Sequence, residues 1–300
     1  MLVKFNKIYI VPSVFFEFKL VGYLEPSWTI KKMKNFSISN FAFNKKPVQN
    51  YLQLLEVSQI KGFEIAPTLV WDDPHKIPKE KKIEFKEFLF GNGFSIIALQ
   101  SLLYGKSELQ LFGSSKVQQN LLDYLKKMVD LCVDLGGKSL SFGSPKNRIK
   151  GELKPEDAIS QASVLFFKLA EYAESANINI CIEPIPFIFN CDFITNSKEA
   201  IQLITSIGHP NIKLLLDTGT LIFNREDWEE VIKQNIKLIG HVHINDPHLF
   251  PPSRKNPEHV LIAKSLKTVG YSGWLSFEFL NYYESLEQDI LYGIECYGYF

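Results

Sequence analysis

The chain has no excess charge of either sign: 33 lysines and arginines balance 33 aspartates and glutamates over 300 residues. That balance leaves no electrostatic footprint for DNA, RNA or an anionic membrane surface as the main partner. Cysteine is scarce. Cys132, Cys181, Cys191 and Cys296 show no Cys-x-x-Cys spacing, which argues against a structural zinc or a disulfide framework and for buried thiols in a reducing, cytoplasmic setting. Membrane-length apolar runs are missing too. The apolar N-terminal stretch 8–16 is broken by Pro12 and followed by Glu17. It is too short to span a bilayer, and no small-x-small cleavage site follows. There is no Gly-x-Gly-x-x-Gly after the first strand-like run and no Walker sequence, which argues against an open doubly wound nucleotide-binding sheet.

What is present is an alternation. From Asn35 onward, short apolar runs with strand character (35–44, 62–71, 93–102, 138–142, 178–184, 211–218, 238–245 and 273–280) alternate with helix-like segments. The helices are expected at 48–60, 78–90, 117–135, 155–176, 196–207, 226–234, 258–269 and 286–296. Gly136-Gly137 stops the third, Pro155 and Glu156 suit the first turn of the fourth, and Asn196 with Glu199 forms a capping arrangement for the fifth. Strands that are nearly all apolar, such as 213–216, are those of a parallel sheet buried on both faces. Eight right-handed β-α units closing on themselves predict an α/β fold, a TIM (β/α)8 barrel over residues 33–300, with residues 1–32 as an N-terminal extension outside it. Met33 stands just before the first convincing strand. A start there would cost the fold nothing, which the intact mass of natively expressed protein tests.

The chemistry gathers at strand ends. Strand alternation points His241 and His243 to the same side, and Asn245-Asp246-Pro247 then ends the strand. The last polar residues of strands five to eight are Glu183, Asp217, His243 and Glu278, 34, 26 and 35 residues apart, about one β-α unit each. Four consecutive strands therefore deliver one ligand-type side chain apiece to the C-terminal rim of the barrel. Three acids ending apolar strands require a counter-charge, and a divalent metal ion supplies it. Carboxylates with one imidazole suit Mn, Mg, Co, Fe or Zn.

Ile182-Glu183-Pro184, Leu216-Asp217-Thr218, the run His241 to Asp246, and Gly270-Tyr271-Ser272-Gly273 with Phe277-Glu278 together resemble the sugar phosphate isomerase/epimerase superfamily, the xylose isomerase-like TIM barrels. The resemblance implies one divalent metal held by Glu183, Asp217, His243 and Glu278. It implies Glu183 and Glu278 as the pair that moves a proton next to a carbonyl through an enediolate, on a small-molecule sugar or sugar derivative. Dimers or tetramers are common in the family, so a homo-oligomer is compatible with it. The sequence departs from the ketose 3-epimerases of that family at Thr220, Phe189 and Leu249, where they carry a histidine, a glutamate and an arginine. A dehydratase of the inosose or dehydroshikimate type, or a non-catalytic carbohydrate-binding barrel, is the alternative. The run His243 to Asp246 also resembles endonuclease IV, but that enzyme's trinuclear zinc site implies histidines at strands two and three, where this chain has Ala66-Pro67-Thr68 and Gln100-Ser101-Leu102.

Five further residues are expected to face substrate: Glu64, Gln100, Arg148, His241 and Asp246. The loop 143–148, with Lys146 and Arg148, offers amides and cations to a phosphate or carboxylate. His248 is either a pocket residue or surface, and Trp71, Trp274 and the many phenylalanines are candidates for an apolar wall against sugar C–H faces.

Overall fold

A computed structural model describes residues 35–281 and 285–298 of the chain. The expected extension over residues 1–32, with its apolar stretch 8–16, and Met33 lie outside the described residues. Among these, eight parallel strands close into one barrel in sequence order: β1 (Asn35–Ser39), β2 (Gly62–Ile65), β3 (Ser95–Leu99), β4 (Ser139–Phe142), β5 (Asn179–Ile182), β6 (Ile212–Asp217), β7 (Ile239–Ile244) and β8 (Trp274–Phe277). The last strand pairs with the first, Phe36 opposite Leu275, which closes the ring.

The observed strands are shorter than the apolar runs that signal them. The run 62–71 spends only four residues in β2 before Pro67, which has no N–H for a ladder, starts a short 3-10 turn. The helices are α1 (Leu52–Val57), α2 (Lys79–Gly91), α3 (Ser115–Leu135), α4 (Pro155–Glu174), α5 (Ser197–Ile207), α6 (Thr218–Asn224), α7 (Trp228–Asn235), α8 (Glu258–Thr268) and α9 (Leu286–Gly298). One helix more than expected follows β6. Asp217 both ends the strand and caps α6, its side chain accepting the Thr220 N–H, so no turn signal separates the two elements. Helix α1 is shorter than expected because residues 48–51 wind as a 3-10 turn before it. Gly136 ends α3 in the left-handed conformation, at φ 88°. The Asn196 cap holds as expected, its side chain accepting the Glu199 N–H at 3.0 Å, while the Glu199 carboxylate reaches back to the Thr195 N–H at 2.7 Å.

The apolar core fills the layer between strands and helices, with Leu125, Met128, Phe166, Leu169, Ile204 and Ile262 among its fully covered residues. All four cysteines are buried and unbridged. No described helix is long and apolar enough to cross a membrane. The inside of the barrel, by contrast, is polar toward its C-terminal end, and there the functional groups collect.

Candidate metal centre and substrate cavity

Glu183 and Glu278 stand one residue past β5 and β8, Asp217 is the last residue of β6, and His243 lies one residue before the end of β7. Their ligand-type atoms all lie within 4.8 Å of one another. Each is at most 7% exposed. Glu278 Oε2 is 2.8 Å and Glu183 Oε1 3.3 Å from His243 Nδ1.

A second polar layer lies beneath. Glu64 of β2 has no exposure at all. It accepts Ser141 Oγ–H at 2.7 Å on Oε1. Its Oε2 accepts Ser276 Oγ–H at 2.9 Å, His243 Nε2–H at 2.9 Å and His241 Nε2–H at 3.1 Å. A carboxylate can only accept, so both rings must carry their proton on Nε2. Burial works to raise the Glu64 pKa, but the adjacent charges on His243 and His241 outweigh it and hold the carboxyl well below its usual range.

The consequence falls on His243. With Nε2–H committed to Glu64, its Nδ1 lone pair faces two carboxylates, so three acceptors converge. Such a group demands a cation. In the protein alone a proton answers that demand: burial opposes a charged ring, yet the Glu278 and Glu64 carboxylates raise the His243 pKa well above normal. Burial likewise raises Asp217, with the Glu183 charge adding to it, and pushes Glu278 up to about 8. Three buried carboxylates and one imidazole nitrogen fit a divalent ion of the Mg, Mn, Co or Zn type. Glu64, His241 and His243 also cluster, but four donors already occupy the Glu64 carboxylate, so that trio props the centre and is no second ion site.

The surroundings keep the ligands in place. Asn245 Nδ2–H donates to Asp217 Oδ2 at 2.7 Å, and Asn245 Oδ1 accepts the Gly219 N–H at 2.8 Å. A Cβ on Gly219 would strike the Asn245 amide oxygen, and one on Gly143 would strike the Glu183 carboxylate. Both glycines are therefore required for close approach rather than for backbone freedom. Arg148 Nη2–H donates to the Glu183 carbonyl at 2.8 Å and its Nε–H to Cys191 Sγ at 3.3 Å.

A cavity of about 550 Å³ opens above these groups and is lined by Glu183, Asp217, Glu278, Gln100, Asn245 and Asp246, among others. Of the residues expected to face substrate, Gln100 and Asp246 line it, and Glu64, His241 and Arg148 do not. Glu64 and His241 sit a layer lower because the stagger of neighbouring strands places Glu64 of β2, and His241 two residues before His243 in β7, below the rim. Arg148 is 1% exposed and turned inward under Glu183, so it is not the anion-binding cation expected of loop 143–148; Lys146 of that loop lines the cavity. Gln100 gives its amide N–H to Ser39 Oγ. Asp246 is engaged on both oxygens, by His259 Nε2–H at 2.6 Å and Ser253 Oγ–H at 2.7 Å, and His259 Nδ1 accepts Tyr297 O–H at 2.9 Å. His248 lines the cavity; of the aromatic residues expected to form an apolar wall, Phe41, Phe189 and Phe223 line it and Trp71 and Trp274 do not.

Sequence reasoning gave no role to Ser141, Ser276 and His259, and read Asn245 only as a turn residue and Gly143 only as the start of a loop. Period-two alternation signals three of them: Asn245 is two residues past His243, Ser276 two before Glu278, and Ser141 two before Gly143. His259 carries no such signal.

A closed parallel (β/α)8 barrel with a carboxylate–imidazole centre at its C-terminal rim defines the class. The chain belongs to the xylose isomerase-like TIM barrel family, whose model matches residues 54–297. D-psicose 3-epimerase of Ruminiclostridium cellulolyticum is 27% identical over 157 residues, 52% of this chain and 53% of that protein. Inosose dehydratase of Geobacillus thermodenitrificans is 22% identical over 221 residues, 68% of this chain and 69% of that protein. The chain thus spans about half of the epimerase's length in that match. In fold, it resembles the crystal structure of D-psicose 3-epimerase with D-tagatose from Clostridium cellulolyticum H10, with a TM-score of 0.73 at 14% identity, covering 88% of this chain and 98% of that one.

Proposed function

We propose that the chain is a metal-dependent isomerase or epimerase of a sugar or sugar derivative that moves a proton at a carbon next to a carbonyl. The observation that carries this reading is the approach of Glu183 and Glu278 to the same nitrogen of His243, with Asp217 beside them, below a cavity. Glu183, Asp217, His243 and Glu278 would hold one divalent ion, which supplies positive charge for the oxygens of an enediolate. Asp217 is fixed by Asn245 and by the Thr220 N–H at 2.6 Å, so its role is to hold rather than to move. The two glutamates are the proton carriers: one takes the proton from one face of the substrate carbon and the other returns one to the opposite face, which inverts it. Return to the neighbouring carbon gives the aldose–ketose isomer.

The dehydratase likeness, which covers more of the chain than the epimerase match, favours a second reading. Proton removal is the same, and loss of the neighbouring hydroxyl follows. Incubating keto-sugars in D2O with Mn, Mg or Co decides between them: deuterium in a product of unchanged skeleton supports isomerisation, and a product lighter by one water supports dehydration. If no substrate exchanges, and metal occupancy is the same in Glu183→Gln and Glu278→Gln, the enzyme reading falls and a carbohydrate-binding barrel takes its place. The same proposal takes residues 33–300 as one domain in a cytoplasmic protein, consistent with four unbridged thiols, with self-association compatible and nucleic acid not a partner.

A further inference from the structure

The outer part of the cavity is uneven in character. The loops after β3 and β4 mix polar groups, Ser101 and Ser144 among them, with Leu103 and Tyr104, whereas Ile188 and Phe189 after β5, Phe223 of α6 and Leu249 after β7 form a continuous apolar patch above the polar groups of the rim. His248 joins the aromatic group, its ring 5.7 Å from Phe223 in a near-perpendicular edge contact and 6.5 Å from Phe189. The backbone of this wall is strained. His248 and Leu249 both take left-handed φ values, 66° and 57°, which non-glycine residues rarely adopt, and leucine least readily of the two. Paired backbone hydrogen bonds keep them there: Asp246 N–H to the Phe250 carbonyl at 2.8 Å and Leu280 N–H to the Leu249 carbonyl at 2.9 Å. Strain held in place beside a cavity points to a use for what it presents, and what it presents is an apolar surface.

A free monosaccharide carries a hydroxyl on nearly every carbon, and each one buried without a partner is costly. Phe189, Phe223 and Leu249 offer no side-chain partner. The cavity, about 550 Å³, lies within the roughly 300–1,000 Å³ of sites that enclose drug-sized ligands. We propose that the wall of Phe189, Phe223, His248 and Leu249 is a subsite for an apolar substituent, so that the substrate is a sugar derivative bearing both a carbonyl and an apolar substituent, such as an oxidised glycoside, and not a free ketose. This rests on the sugar-isomerase reading, for the sugar ring must reach the acids while its substituent lies on the wall.

Calorimetric titration of the full chain loaded with Mn2+ tests it, using methyl β-D-glucopyranoside, phenyl β-D-glucopyranoside and glucose 6-phosphate as probes. The two glycosides carry no free carbonyl and cannot turn over, so the comparison between them is independent of proton transfer. The phenyl glycoside should bind at least tenfold more tightly than the methyl glycoside, and Phe223→Ala should cut that preference below threefold while Mn2+ affinity stays within twofold of the parent. Should Phe223→Ala fail to fold, Phe189→Ala carries the same expectation. Equal affinities for the two glycosides, binding of neither, or tightest binding of glucose 6-phosphate overturns the subsite. Deuterium exchange into keto-sugars would be untouched by that outcome, and its absence would equally leave a measured aryl preference standing.

Discussion

Glu64 Oε2 lies 2.9 Å from His243 Nε2, and this contact decides which nitrogen of the ring faces the cavity. A carboxylate behind a ligating imidazole fixes its tautomer and raises its basicity. Glu64→Gln keeps the shape but, as an amide, can either accept the ring proton or donate to it, which loosens the choice. Divalent-metal affinity should fall by roughly 10–100-fold, measured by calorimetry on the folded variant, and an affinity equal to the parent's would remove Glu64 from the centre.

Metal binding should release protons. His243 is raised well above its normal value and Glu278 is pushed up to about 8, so in the metal-free protein this pair holds protons through neutral pH. An ion must displace them. Apparent Mn2+ affinity should therefore rise as pH increases from 6 toward and past about 8, and the binding heat should vary with the ionisation enthalpy of the buffer. Affinity flat across that range would show the proton accounting to be wrong.

The two glutamates should separate by readout from the holding residues. Glu183→Gln or Glu278→Gln should lower kcat for any identified substrate by about 10²–10⁴-fold, the scale of a lost general acid or base. Asn245→Ala, which frees Asp217 Oδ2, should act first on metal affinity. The glutamates are ligands as well, so turnover is compared at saturating metal: a parent-level kcat in either glutamine variant, or a kcat in Asn245→Ala that stays equally low there, would count against the division of labour.

Gly143 supplies a sharper test of placement. A methyl group there would collide with the Glu183 carboxylate, and Glu183 is the more flexible party. Gly143→Ala should fold, keep its thermal transition within a few degrees of the parent, and lose roughly 100-fold in rate, the order expected for a displacement of about 1 Å at a reacting group. Parent-level turnover would mean that Glu183 is not held where it acts.

His259 should matter for stability more than for chemistry. It is fully buried between Asp246 and Tyr297 and ties α8 and α9 to the end of β7. His259→Ala leaves a buried carboxylate oxygen and a phenol without that partner, and each unsatisfied group costs about 1–3 kcal/mol. Chemical denaturation should show a loss of that order, with the midpoint moved and the slope unchanged.

The barrel was legible from residue order alone, because hydrophobic periodicity and punctuation by glycine and proline are local properties. The same holds for the four ligand-type residues: each is the last ionisable group of an apolar run, and strand period two fixes which side it faces. Strand lengths were overestimated because an apolar run continues into the loop that packs over the strand, as 62–71 does after Ile65. Helix α6 was missed because Asp217 serves strand and cap at once.

Depth along the barrel axis is what the one-dimensional pattern does not contain. Alternation tells that Glu64, His241 and His243 point inward. Only the stagger of neighbouring strands, such as Asp217 opposite His243 and Glu64 opposite Ala98, decides that His243 reaches the rim while Glu64 and His241 support it from below. Arg148 turned inward for a similar reason: its partner is the Glu183 carbonyl, 35 residues away in sequence. The sequence by itself thus determined the kind of fold and the chemical types at its rim, since both follow from local pattern. Tertiary structure alone decided which polar groups touch the cavity and which hold the others, since that depends on register between strands that share no sequence neighbourhood.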